Sequence, residues 1–180
     1  AAGRCDTARV VIRRETPRDV PAIAAVTTAA FRQGADGPEP VETALLARLR
    51  ADASWLPALS LVAIADGAVI GHVVCTRGYV DDVPALGLGP ISVRPDHRRR
   101  GVGHALMHAV LGAAEATDEA LVALLGDPAF YRRFGFVAAS DLGIAAPDPA
   151  WGRHFQARAL SACPAGLTGT FRYAAPFARV

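Results

Sequence analysis

The stretch Leu86 to Leu106, LGLGPISVRPDHRRRGVGHAL, constrains the fold more tightly than any other part of this 180-residue chain. An apolar run ends at Val93 and a turn containing Pro95 follows. Arg98, Arg99 and Arg100 then lead into Gly101-Val102-Gly103, and an amphipathic run continues to about Thr117. That order reads as a strand, a tight basic loop and a helix N-terminus. The first N–H groups of a helix have no intrahelical partner and sit at the positive end of its dipole, so they attract anions. Glycines at 101 and 103 carry no side chain to hold a phosphate off the backbone, and the arginines add charge beside them. The segment reads as a diphosphate cradle.

Two phosphate loops can be tested against it. Gly-x-x-x-x-Gly-Lys-Ser/Thr occurs nowhere in the chain, and the dinucleotide fingerprint needs a third glycine where Leu106 stands. Arg98-Arg99-Arg100-Gly101-Val102-Gly103 instead matches Arg/Gln-x-x-Gly-x-Gly/Ala. Here the chain resembles the GCN5-related N-acetyltransferase (GNAT) superfamily, in which this loop binds the pyrophosphate of acetyl-coenzyme A. A second segment, Leu125-Gly126-Asp127-Pro128-Ala129-Phe130-Tyr131-Arg132-Arg133-Phe134-Gly135-Phe136, resembles the end of the same domain in a bacterial subgroup of acetyltransferases. The two motifs lie in the family's order and at about its spacing.

The resemblance implies one N-acetyltransferase domain over residues 1 to 180, with an acetyl-CoA-binding core at about 86 to 136. It implies the α/β acyl-CoA N-acyltransferase fold: a mixed, mostly antiparallel sheet with a central βαβ unit and helices on both faces. The implied reaction moves the acetyl group of acetyl-CoA directly to a primary amine in a ternary complex. The acceptor would be a small molecule or a peptide. A non-catalytic acyl-CoA-binding or sensor module is the alternative, in which the cradle is present without a route for protons.

Composition limits other classes. With a net charge of +2 the acids and bases nearly balance, so a nucleic-acid partner is not expected. No run approaches the roughly 18 apolar residues of a membrane span, and Arg4, Asp6 and Arg9 break any signal-peptide pattern, so no membrane partner is expected either. Cys5, Cys75 and Cys163 are isolated and odd in number, which argues against a disulfide framework or zinc knuckle and for a reducing cytoplasm. A homodimer is among the assemblies left open.

Along the chain, residues 1 to 8 read as a loose terminus, and Val10 to Ile12 as a short strand. Thr16-Pro17-Arg18-Asp19 is a capped helix start, with the helix ending near Gly34. After a loop from Gly34 to Pro40, a second helix from about Glu39 to Asp52 turns Val41, Leu45, Leu46 and Leu49 inward. By resemblance, these two helices and their loop close over the acceptor. Asp66-Gly67 marks a hairpin between Leu59–Ala65 and Ala68–Thr76, with Val62, Ile64 and Val69 on one apolar face and Leu61, Ala63 and Ile70 on the other. A further turn at Tyr79 to Pro84 returns the chain to Leu86–Val93, where Gly87, Gly89 and Pro90 suggest a bulge or splay. Leu121–Leu125 completes a right-handed βαβ unit. Pro128–Phe134 is a short helix closed by Gly135, and Phe136–Ala139, His154–Leu160 and Gly169–Ala174 are closing antiparallel strands.

Acetyl transfer needs a neutral amine, a polarised carbonyl and a proton for the departing thiolate. By resemblance, backbone N–H groups at Ile91, Ser92 and Val93 polarise the carbonyl and pair with the pantetheine arm. Arg98, Arg99, Arg100, Gly101, Val102, Gly103 and His104 hold the diphosphate, and Asp127 stands where many members carry an asparagine that contacts that arm. Tyr131, four residues before Gly135, has the spacing of the family's general acid. Its other reading is a ring packed beside Phe130 and Phe134. The base stays open among Glu39, Glu42, His72, Asp81, Asp82 and a water chain. His104 and His108 are four apart on one helix, but no His-Glu-x-x-His occurs and no metal is expected. Cys75 reads as a buried small hydrophobe and Trp55 and Trp151 as core or lid aromatics.

Overall fold

The computed structural model describes residues 9–34 and 37–179, so the expected loose terminus, Cys5 and part of the Gly34–Pro40 loop lie outside the described residues. Strand β1 (Val11–Arg14) pairs antiparallel with β2 (Trp55–Ala65), which turns at Asp66-Gly67 into β3 (Ala68–Val80). A second tight turn at Asp81 and Asp82 returns the chain as β4 (Val83–Val93). Both hairpins are longer than the local pattern suggests, since β2 begins at Trp55 and β3 runs to Val80. Tyr79 and Val80, which pair with Pro84 and Val83 across the turn, also have a distant partner on their other side, Arg172 and Phe171 of β9 (Gly169–Arg172). Long-range pairing of that kind leaves no mark in local periodicity.

From β4 the chain enters helix α3 (Val102–Glu115) and returns as β5 (Leu121–Leu125), parallel to β4. This is the central βαβ unit. β5 pairs antiparallel with β8 (Phe155–Ala159), and β8 with the short β6 (Val137–Ala138). β7 (Ile144–Ala145), not foreseen in the sequence, pairs parallel with β9. The sheet is therefore mixed and mostly antiparallel.

The hairpin faces divide by alternation, with one shift where β3 carries an extra residue at Ile70. Leu61, Ala63, Ile70, Val73, Cys75, Leu86 and Leu88 pack under Val102, Leu106, Met107 and Val110 of α3. Val62, Ile64, Val69 and Val74 face the other way, against Ile23 of α1 (Val20–Phe31) and Leu46 of α2 (Val41–Arg50). Full burial of a side chain such as Leu106 contributes about 1.5–3 kcal/mol. Gly71 on β3 lets α3 settle this close, because a Cβ there would stand 2.9 Å from Leu106 Cδ1 and 3.2 Å from Val102 Cγ1.

The first helix is tied to the sheet by charge. Asp19 accepts hydrogen bonds from the Thr16 N–H at 2.7 Å and the Arg13 guanidinium at 2.7 and 2.8 Å. The Arg13 bonds, with those from Thr16, hold its carboxyl well below the usual range. Helix α2 begins later than expected, after Pro40 in extended geometry, and leaves Val41 exposed while Leu45, Leu46 and Leu49 are buried.

Candidate active site

The site begins where the sheet opens. β4 and β5 pair only at Leu86↔Val122 and Gly87↔Ala123. Just beyond, the β3–β4 register goes from Cys75↔Leu88 to Val73↔Ile91, so β4 carries one extra residue at Gly89-Pro90. That bulge turns β4 away from β5 and leaves its remaining edge without a strand partner. The Arg94 N–H donates to Ile70 O on β3 at 2.8 Å. Because successive residues alternate sides, Ser92 also points its N–H toward β3, while Ile91 and Val93 point theirs into the gap. The Ser92 hydroxyl is buried 3.3 Å from Thr27 Oγ1, on the α1 side of the sheet.

At the far end of that edge lies a cleft of 610 Å³, bordered by Ile91, Val93, His97, Arg98, Arg99, Gly101, Val102, Gly103, His104 and Phe130. Gly101 caps α3 with φ 82°, a left-handed conformation that suits glycine. The Ala105 N–H donates to Gly101 O at 2.9 Å, so the N–H groups of Val102, Gly103 and His104 lie before the first intrahelical bond. A Cβ on Gly103 would meet the cleft wall at Val93 (3.8 Å) and Phe130 (4.0 Å), so larger side chains there would enter the cleft. Two arginines and no carboxylate border it. Free amides, a dipole end and guanidinium groups together suit a diphosphate.

The arginines divide their work. Arg98 donates to Ala30 O at 2.6 Å, bridging to α1, while Arg99, at φ 59°, also borders the cleft. Arg100 is exposed and is not on its wall. His104 is wedged against Phe130 and Phe134, with ring centroids 5.5 and 5.4 Å away, and its Nε2 accepts from Arg133 at 2.8 Å. Among the described residues no three His, Cys, Asp or Glu side chains are grouped for a metal. Asp127 accepts from the Ala129 N–H at 2.8 Å as the cap of α4 (Pro128–Tyr131), and it borders neither this cleft nor the next.

Ile91 also borders a second cleft, of 410 Å³, on the other side of the bulge. Leu88, Gly89, Pro90, Leu125, Tyr131, Trp151, Tyr173 and Phe177 line it, with Phe31, Glu42 and Leu45 from α1 and α2. Tyr131 stands edge-on to Phe130 at 4.9 Å and Phe136 at 5.9 Å, a packed ring whose residue also borders the cleft. Burial pushes its phenol above the ordinary value. Tyr173 is raised as well, by burial first and then by Tyr131 and Cys75. Helix α2 thus brings Glu42 to the cleft, where it is the one charged lining residue.

The remaining base candidates lie elsewhere. Glu39 is exposed and borders neither cleft. Asp81 and Asp82 form the β3–β4 turn, where Asp81 accepts from the Thr170 N–H at 3.0 Å. His72 is fully buried on the α1/α2 face, its Nε2 3.0 Å from Glu15 Oε2 and 2.9 Å from Ser60 Oγ. Burial alone would raise the Glu15 carboxyl, but hydrogen bonds from His72, Arg50 and Ser60 outweigh it and hold it at about 2. Burial also pushes His72 down, against the pull of Glu15. The group ties β1, β2, β3 and α2 together, and none of its four residues lines either cleft. Cys75 lies in the core beneath α3, where burial raises its thiol.

Trp151, read as a core or lid aromatic, borders the second cleft, whereas His97, Phe130, Tyr173 and Phe177 are cleft residues that the sequence does not single out. Only Phe130, inside the second motif, carried a signal. The other aromatics converge from the turn at residues 149–154, the position just after β9 and the C-terminal turn, a meeting that the chain order conceals.

Comparison with known proteins gives a consistent picture. The model of the acetyltransferase (GNAT) domain matches residues 57–138. The uncharacterized N-acetyltransferase YhbS of Escherichia coli K12 is 33% identical over 174 residues, covering 94% of this chain and 99% of that protein. The uncharacterized N-acetyltransferase YjhQ from the same organism is 35% identical over 143 residues, covering 75% and 79%. The crystal structure of E. coli YhbS in complex with CoA superposes with TM-score 0.85 at 32% identity, covering 96% of this chain and 94% of that one. A Brucella melitensis GNAT acetyltransferase in complex with acetyl-CoA superposes with TM-score 0.74 at 32% identity, covering 94% and 98%.

Proposed function

We propose how this chain, which belongs to the GNAT acetyltransferase family, moves an acetyl group: from acetyl-CoA directly to a primary amine, with both substrates bound at once. The observation that carries this reading is the placement of the two clefts, both bordered by Ile91 at the open edge of β4. Acetyl-CoA, when bound, supplies the activated acetyl thioester. The N–H groups of Val102, Gly103 and His104, with Arg98 and Arg99, hold the diphosphate. Arg100 adds charge from outside the wall. The free N–H groups of Ile91 and Val93 pair with the arm and polarise the carbonyl, and Ser92 keeps the strand in register.

Tyr131 is the general acid. Its phenol gives a proton to the sulfur as the C–S bond breaks and the C–N bond forms, and it regains one from water. The acceptor ammonium gives one proton to water before the nitrogen attacks and a second as the amide forms; one of these offsets the proton that Tyr131 takes back and the other is released, so atoms and charge balance. A raised phenol pKa keeps Tyr131 protonated at neutral pH, and burial beside Phe130 and Phe136 fixes its ring. Asp127 serves by capping α4, which carries Tyr131.

The test is acetyl-CoA-dependent acetylation of an amine panel, followed by thiol release and mass spectrometry, with wild type and Tyr131→Phe. Product formation that drops at least 10²-fold in the variant supports the reading. Binding of coenzyme A without acetylation of any amine would instead establish the sensor module.

A further inference from the structure

We propose that the acceptor is a singly charged, amphipathic primary amine, docked with its ammonium on Glu42 and its aromatic or large apolar body against Trp151, Tyr173 and Phe177. The inference rests on the acetyl-transfer reading and names the acceptor class for that site. Glu42 is the sole charged residue on the wall of the 410 Å³ cleft, a volume within the ~300–1,000 Å³ of small-molecule sites. It is half-buried, and among the described residues no hydrogen bond or ion pair engages it. A partly desolvated carboxylate without a partner favours a cation in reach.

The aromatic part of the wall sets the rest of the molecule. Tyr173 and Phe177 stack with centroids 4.7 Å apart, and Trp151 stands 6.3 Å from Tyr173. Their faces bury apolar area and tolerate a nearby ammonium. Polycationic amines need several carboxylates, and here there is one. Free amino acids bring a carboxylate next to the amine, and no cationic residue lines this cleft to meet it. Of these two clefts the arginines stand only in the other, at Arg98 and Arg99, so the two substrates are also sorted by charge.

The experiment is calorimetric titration of the CoA-saturated protein with 2-phenylethylamine, n-hexylamine, ethylamine, spermidine, phenylalanine and 2-phenylethanol. It is followed by acetylation kinetics on the same amines. We expect 2-phenylethylamine and n-hexylamine to bind at least tenfold more tightly than ethylamine, spermidine or phenylalanine. Glu42→Gln should weaken both by about tenfold, leave 2-phenylethanol and coenzyme A affinity unchanged, and raise KM more than it lowers kcat. Trp151→Leu should weaken the two amphipathic amines independently of charge. Preference for ethylamine, spermidine or phenylalanine, or no binding of the amphipathic amines, or no effect of Glu42→Gln on them would overturn the proposal. Glu42-dependent binding without acetylation would uphold the acceptor class while refuting the transfer reading, so the two failures are separable.

Discussion

The ring of Tyr131 occupies the space that a Cβ on Gly126 would need, so the glycine at the end of β5 sets where the phenol stands. Gly126→Ala should therefore displace a chemically intact Tyr131. The expected result is a fall in kcat approaching the ~10²-fold or greater loss of Tyr131→Phe, with coenzyme A affinity kept in both variants. Steady-state kinetics alongside calorimetry checks it, and full activity in Gly126→Ala would refute the placement. Because burial raises the Tyr131 phenol, its protonated form persists beyond the ordinary value of 10.0. No loss of activity below pH 10 should trace to it, which a comparison of pH profiles with Tyr131→Phe resolves.

Gly103 and Gly101 differ in what they contribute. A Cβ at Gly103 finds ordinary contacts, so Gly103→Val should fold normally yet weaken coenzyme A at least tenfold by filling the cradle. At Gly101 there is space for a Cβ but φ is 82°, so Gly101→Ala should cost about 1 kcal/mol of stability through backbone strain. Melting curves with and without coenzyme A separate the two effects. Equal affinities for wild type and Gly103→Val would contradict the cradle.

The Glu15–His72–Ser60–Arg50 group should make the protein acid-labile in two stages. Burial lowers His72 below its ordinary 6.5, so protons favour the unfolded chain and stability falls as pH drops below that value. Glu15, held at about 2 against an ordinary 4.5, adds stability that is complete above 4.5 and disappears toward 2. Thermal melts from pH 8 to pH 3 should show both declines. Glu15→Gln should shrink the lower one, leaving the part due to Asp19, and cost on the order of 2 kcal/mol at pH 7 by leaving Arg50 and His72 without their acceptor. A melting temperature that is flat from pH 7 to pH 4 would count against the buried group.

Packing under α3 couples the core to the cradle. Leu106→Ala should destabilise by about 2–5 kcal/mol, the usual range for emptying a fully buried leucine site. Gly71→Ala adds a methyl 2.9 Å from Leu106 and 3.2 Å from Val102, so α3 must shift. A cost of about 1–3 kcal/mol is expected. Since Val102 also borders the cleft, coenzyme A affinity should fall with it. Denaturant melts and calorimetry on one preparation would show whether the two losses travel together.

Much of this was legible in the chain because it is written locally. Alternation at Leu61 to Ile70 assigned each hairpin residue its face, and Gly87 to Pro90 announced the bulge that opens β4. Arg98 to Gly103 announced a bare helix end. Other readings depended on distance in space. His72, a base candidate by type, lies beneath Glu15 and Ser60, and Asp127 spends its carboxylate on a cap. Val41, expected inward, is exposed because α2 starts only after Pro40.

By itself, the order of residues determined the secondary structure near the site, the apolar faces and the anion-seeking helix start. Each of these arises from neighbours within a turn or a strand repeat. Tertiary structure alone decided which carboxylate reaches a cleft and which aromatics wall it. Glu42, Tyr131, Trp151 and the pair Tyr173 and Phe177 come from four separate stretches of chain, and only the packing of α2, α4 and the closing segments around the sheet brings them to one cavity.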